Sequence, residues 1–182
     1  LSAKQGYKTL IWDLDPQGSS SFYLGVTSTV KNESKKLISG EMDLIDAIQA
    51  SAYENLDIIP SDISARNADI LLNEMKQSKK KIASLLSSLK KAYDIVFLDC
   101  PPGISILHDA VFTGADWVFM PNIPTTLSIR SFESVLQYFK ENDFDTSKLK
   151  CFFSMVDHRK NLHHEVINEF YKDKLFFKSY IP

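Results

Sequence analysis

Apolar positions fall along this chain in two alternating rhythms. Short strand-like runs occur at Lys8–Trp12, Leu56–Ile59, Asp94–Leu98, Asp116–Met120, Leu149–Val156 and Phe176–Ile181. Several are continuous apolar blocks, the pattern of parallel strands covered on both faces. Between them the spacing turns helical. Within Lys79–Lys91 it places Ile82, Leu85, Leu86 and Leu89 on one face, and within Ser128–Lys140 it does the same with Ile129, Phe132, Leu136 and Phe139. Strands alternating with helices predict right-handed βαβ units and a doubly wound, mostly parallel α/β sheet with helices on both faces. No Gly/Ser linker, repeat or low-complexity tract divides the chain, so one domain spanning residues 1–182 is expected. The opening Leu1–Lys8 reads as the end of a helix closing at Gly6. A helix end without a beginning, and a strand that stops at Pro182, predict truncation at both ends.

Composition narrows the function classes. With 182 residues and 44% apolar content the chain can bury a real core. The formal net charge of -2 excludes a polybasic nucleic-acid binder, so any such contact must come from a local patch. No apolar run is long enough to span a bilayer, and no signal-peptide pattern opens the chain. Cys100 and Cys151 each lie beside a strand pattern and read as small core residues of a reducing compartment.

Chemistry gathers where strands end, because ligands of open α/β sheets bind beyond the carboxyl ends of the strands. The first strand runs into Asp13-Leu14-Asp15-Pro16-Gln17-Gly18, and the third into Asp99-Cys100-Pro101-Pro102-Gly103. Four apolar residues followed by Asp form the Walker B pattern, in which a carboxylate at the strand tip holds Mg²⁺ beside nucleotide phosphates. Asp99 alone reads equally well as a cap of the following helix. Asp13 and Asp15 would point the same way on an extended chain, and two like charges on one face call for a cation or a nucleotide-bound water. The other reading of this segment is a plain turn, since Asp, Pro and Gly are all turn-formers.

These segments together resemble the ParA/Soj partition ATPases, of the MinD/ParA group of P-loop NTPases. Asp13–Gly18, with Ser19-Ser20-Ser21 and Leu24-Gly25 after it, is similar to their switch I segment. Tyr93–Pro102 is similar to their Walker B and switch II region. Ile59-Pro60-Ser61, Met120-Pro121, Pro124-Thr125-Thr126 and Met155–Arg159 fit the same order. The resemblance implies a Rossmann-like three-layer fold and an ATPase using ATP and Mg²⁺. The family's deviant Walker A loop would precede Leu1, so the residues given are expected to bind ATP weakly and to be inactive by themselves.

The resemblance also implies residue roles. Asp15 would position the attacking water, Asp13 would lie near Mg²⁺ in switch I, and Asp99 would be the Walker B aspartate. Pro182 would lie beside adenine, with Asp157 near the same pocket. Arg159, and less so Lys160, would contact DNA. The implied partners are a second copy when ATP is bound, DNA without sequence preference, and a ParB-like adaptor protein. The implied setting is the bacterial cytoplasm, on the nucleoid and not in a membrane. Two other readings stay open. One is an ATP-dependent amide ligase of the cobyrinic acid a,c-diamide synthase type, which shares the fold. The other is a non-catalytic, degenerate module that only dimerises or docks.

Other features weigh less. Lysines 76, 79, 80, 81, 90 and 91 read mainly as a solvated helix face. His158, His163 and His164, with Glu165, lack the spacing of a metal site. The 12 Phe and 7 Tyr read as core, with no clear stretch of aromatics interleaved with basic residues.

Overall fold

The computed structural model describes all residues, 1–182, as two compact units, Leu1–Gly114 and Ala115–Pro182. In the first unit a 3-10 turn, Ala3–Gln5, closes on Gly6, whose φ of 90° is the left-handed value that glycine supplies at a helix end. Strand β1 (Thr9–Asp13) follows, then the short helices α1 (Ser19–Tyr23) and α2 (Glu33–Ser39). The unit continues through β2 (Gln49–Ala50), β3 (Leu56–Ile59), α3 (Ala68–Asn73), α4 (Ser78–Leu86), β4 (Ile95–Asp99) and α5 (Ile106–Gly114).

The strand order is β2-β3-β1-β4. β1 pairs in parallel with both β3 and β4, and β2 adds an antiparallel edge that the apolar pattern did not reveal. Burial follows position. Central β1 buries Leu10 and Trp12, whereas β4, last in the order, is half-buried and exposes Phe97. An apolar block therefore did not guarantee burial on both faces. Leu10, Trp12, Leu37, Ile38, Leu72, Ile82 and Leu107 form one cluster. Each such side chain contributes roughly 1.5–3 kcal/mol by leaving water. The helical face expected within 79–91 is present, although α4 ends at Leu86 and Leu89 is buried from the turns that follow.

Two devices lock this unit. The first is a cap made in trans. Asp62 accepts from the Glu33 amide at 3.0 Å, Ser64 Oγ accepts from the Lys35 amide at 3.0 Å, and Ser34 Oγ accepts in return from the Asp62 amide at 3.1 Å. The opening amides of α2 thus find partners from the loop after β3. The second is close contact between α4 and α5. A Cβ added at Gly114 would stand 2.9 Å from the Ala83 amide nitrogen and 3.2 Å from its Cα. Backbone cannot swing aside as a side chain can. Gly114→Ala is therefore expected to cost about 1–3 kcal/mol through overpacking, read as a lower urea midpoint at unchanged slope.

The second unit contains β5 (Val118–Asn122), α6 (Thr126–Glu141), β6 (Leu149–Phe153) and α7 (Asn161–Phe170). β5 and β6 are parallel, so α6 is their crossover. α6 starts two residues before the apolar periodicity suggested, because Thr125 caps it through the Ser128 amide. Phe132 and Phe139 are buried on the expected face. Phe176 closes the packing, with its ring centroid 4.9 Å from Phe132, 5.0 Å from Phe153 and 4.8 Å from Phe170.

The strand expected at Phe176–Ile181 does not form a regular ladder. It makes one parallel bridge, Cys151 to Phe176. The Phe177 amide donates to Cys151 O, and the Ile181 amide donates to Phe153 O. Four residues on one side thus match two on the other, and the surplus bulges out.

Candidate nucleotide switch site

The site is built at the carboxyl ends of β1 and β4, where Asp13 and Asp99 are register partners. The ladder runs one residue further, with the Leu14 amide donating to Asp99 O at 2.8 Å. The chain then turns. Asp15 Oδ1 accepts from the Gln17 amide at 2.8 Å, and Asp15 O accepts from the Gly18 amide at 2.9 Å. Gly18 adopts φ 64°, which suits glycine, and launches α1. The segment is thus the Asx-stabilised turn that its Asp-Pro-Gln-Gly sequence favours.

Asp13 and Asp15 do not stand side by side as exposed charges. Strand alternation of side chains stops at Asp13, where β1 ends. Asp13 is 1% exposed. Its Oδ2 accepts from the Ser21 amide at 2.9 Å and from Ser21 Oγ at 2.6 Å, and its Oδ1 accepts from the Asp15 amide at 3.2 Å. Three donors on one carboxylate make its burial tolerable. Ser21 Oγ also accepts from the Ser61 amide at 3.0 Å, tying the end of β3 into the same network. Beside it, Ser20 Oγ donates to Asp99 Oδ2 at 2.5 Å. α1 therefore reaches both strand-tip carboxylates through consecutive serines. Ser61 Oγ is buried with no partner of its own.

Asp13, Asp15 and Asp99 are thus brought together in the first unit. Asp157, Arg159, Lys160 and Pro182 belong to the second. Asp157 and Pro182 approach one end of β6, because the Val156 amide donates to Ile181 O at 3.2 Å. Asp157 is engaged by Arg159. Its Oδ1 accepts from the Arg159 amide at 3.0 Å and from Nε at 2.9 Å, and its Oδ2 accepts from Nη2 at 3.0 Å. These bonds hold the Asp157 carboxyl well below the usual range and raise the guanidinium above its own. The pair stays ionised through any mildly acid assay, since a depressed carboxyl pKa moves its loss to more acid pH. Lys160 is exposed at the start of α7.

Nothing in the linear pattern marks the serines that hold the aspartates. They lie in the Ser19-Ser20-Ser21 run and after Ile59-Pro60. His163 has a structural role that its spacing from the other histidines does not reveal. It is buried, and its Nδ1 accepts from the Asp157 amide at 3.0 Å, so it braces the Asp157–Lys160 turn. His164 Nε2 donates to His158 O. No group of three or more His, Cys, Asp or Glu is placed to hold a metal by itself. Burial pushes the Cys100 thiol up to about 12, with the Asp99 charge adding to it, and burial likewise takes Cys151 to about 12. Neither thiol is a nucleophile near neutral pH. No helix is long and apolar enough to cross a membrane.

Comparison with known proteins adds the relationship. Residues 1–150 match the AAA_31 family model, described as an AAA domain. The sporulation initiation inhibitor protein Soj of Bacillus subtilis is 29% identical over 185 residues, covering 97% of this chain and 73% of Soj. Among solved structures, the cobyrinic acid a,c-diamide synthase of Mycobacterium smegmatis, with bound ADP and magnesium, superposes with a TM-score of 0.83 at 22% identity, over 94% of this chain and 72% of that one. The apo McdA of Cyanothece gives 0.82 at 22% identity, over 98% and 75%. At such identities the two structures establish the fold, the three-layer α/β arrangement with a mostly parallel sheet. With its model matched over 150 of 182 residues and Soj aligned along nearly the whole chain, the protein belongs to the AAA_31 family, among the ParA/Soj-type partition ATPases.

Proposed function

We propose that this chain forms part of an ATP-hydrolysing switch for DNA partition. In this reading Mg²⁺-ATP closes two copies into a dimer, the dimer holds DNA without sequence preference, and hydrolysis prompted by a ParB-like adaptor releases it. The observation that carries the reading is the pairing of Asp13 with Asp99 at adjacent strand tips, beneath a turn that presents Asp15.

The oxygen donors fit a Mg²⁺ of the kind that keeps most of its water and takes one or two protein ligands. Asp99, with Ser20 beside it, supplies hard oxygen atoms at the end of β4. When bound there, the ion would neutralise phosphate charge. Asp13 is a poorer ligand than its family position implies, because its carboxylate is buried and already accepts three hydrogen bonds. Its role in this reading is to fasten α1 and the turn to β1. Asp15, half-buried at the turn, is the group that orients water. Asp157 and Pro182 are proposed to flank the base, and Arg159 and Lys160 to meet DNA. The amide-ligase reading rests on fold likeness alone at 22% identity, which carries no activity.

Asp99→Ala tests the site. In the full-length protein, Mg²⁺-dependent ATP affinity should fall by about tenfold or more, the scale of one lost contact to a charged group. Affinity measured in EDTA should barely move. Equal affinities with and without Mg²⁺ in the variant and the wild type would remove Asp99 from the site.

A further inference from the structure

We propose that Ser20 is a positioning residue for Asp99: its hydroxyl fixes the carboxylate at the tip of β4 for a divalent cation, and it ties occupancy of that carboxylate to the seating of α1. This deepens the reading of Asp99 as the Mg²⁺ carboxylate and rests on it.

The two strand-tip aspartates are register partners, yet their hydrogen bonding is unequal. Asp13 is buried and accepts from three donors. Asp99 is half-buried, and its carboxylate accepts one side-chain hydrogen bond, from Ser20 Oγ to Oδ2 at 2.5 Å. An ionised carboxylate offers about four acceptor positions. Asp13 has little of that capacity left, whereas Asp99 keeps Oδ1 and part of Oδ2 for an ion or its bound water. A single short bond from a hydroxyl to a charged oxygen is strong enough to select one side-chain orientation. Without it, Asp99 is free to turn at a half-exposed strand end. Carboxylates that face metal ions are themselves held by outer hydrogen bonds of this kind.

The build of α1 makes the bond a mechanical link. The helix has five residues, of which Ser21 alone is buried. Phe22 and Tyr23 are 81% and 83% exposed, so no apolar face of α1 fastens it to the sheet. A helix this short does not stand by itself in water. Ser20 and Ser21 therefore carry the attachment, one to β4 and the other to β1. Ser21 reaches the carboxylate that is already sheathed, and Ser20 reaches the one left open. A cation that favours the Ser20-bound orientation of Asp99 must also favour the seated α1, because coupling between two binding events is reciprocal.

The test titrates Mg²⁺ into the full-length protein saturated with ADP, by calorimetry. The variants are Ser20→Ala, Ser20→Thr, Asp99→Ala and the double variant Ser20→Ala/Asp99→Ala. Ser20→Ala should bind Mg²⁺ about 10- to 100-fold more weakly, the usual cost of removing an outer partner of a metal-binding carboxylate. Its ADP affinity in EDTA should be unchanged. Ser20→Thr keeps the hydroxyl and should recover most of the loss. The double variant should bind Mg²⁺ no more weakly than Asp99→Ala, since Ser20 acts through Asp99. Hydrogen exchange gives a second readout. The Phe22 and Leu24 amides, which donate to Gly18 O and Ser20 O, should gain protection on adding Mg²⁺ in the wild type and not in Ser20→Ala. A Ser20→Ala variant with wild-type Mg²⁺ affinity overturns the proposal while Asp99 keeps its role. Tighter Mg²⁺ binding in Ser20→Ala also overturns it, because the hydroxyl would then compete with the ion. Equal loss of ADP affinity with and without Mg²⁺ would reduce Ser20 to a structural role and overturn it as well. An Asp99→Ala variant that binds Mg²⁺ like the wild type overturns both readings.

Discussion

Replacing Asp15 with alanine is expected to leave ATP affinity within about threefold of wild type and to cut turnover by about 100-fold or more. The split follows from what Asp15 touches. Its carboxylate accepts from the Gln17 amide and shapes the turn, and it is not among the groups that fasten that turn to β1. An oriented water matters only as the phosphoryl group transfers, so its loss appears in the transition state and not in substrate binding. The magnitude is that of removing one preorganised polar group from a reacting centre. Single-turnover hydrolysis beside equilibrium ATP binding would measure the two quantities separately. An equal loss in both would make Asp15 a binding residue and dissolve its distinction from Asp99.

Asp13→Ala should instead appear first as lost stability. The substitution strands the Ser21 amide, the Ser21 hydroxyl and the Asp15 amide in a region where Asp13 itself is 1% exposed. Buried donors left without acceptors cost about 1–3 kcal/mol each before relaxation. Because α1 can loosen and admit water, a net loss of about 2–4 kcal/mol is expected. For a chain of this size that is a fall in Tm on the order of 5–10 °C. Asp13→Asn keeps an acceptor and should recover part of the loss. Ser21→Ala removes only the hydroxyl bridge to Asp13 and the Ser61 amide, and should cost less than Asp13→Ala. An unchanged Tm in Asp13→Ala would mean that the network does not hold the turn, and Asp13 would return to the list of candidate Mg²⁺ ligands.

These two carboxylates show how far linear reading reached at the site. Asp13, Asp15 and Asp99 were legible because strand-tip aspartates after apolar runs are a local pattern, and the Asp-Pro-Gln-Gly turn is local as well. Which of them is sheathed and which is presented depends on Ser20, Ser21 and Ser61. Ser61 is 40 residues from Ser21 along the chain. No spacing rule connects a serine after β3 to a carboxylate at the end of β1. The parallel register of three strands does.

The same division runs through the whole molecule. By itself the sequence determined the α/β class, the β1, β3, β4, β5 and β6 strands, the buried faces of α4 and α6, and the glycine closure at Gly6. All of these follow from side-chain periodicity and backbone preference within a few residues. Tertiary structure alone decided the rest. It paired Arg159 with Asp157, reduced the expected last strand to a single bridge, and recruited Asp62 and Ser64 to cap α2. It also gathered Lys172, Lys174 and Lys178 around one hollow beside a buried Phe176, with Lys178 over the Tyr171 ring. The Arg159–Asp157 pair is close in sequence, yet even there the charges were legible and their mutual engagement was not. Composition counts ionisable groups, while the folded backbone sets which of them meet, and at short range that geometry decides whether a charge is spent or available.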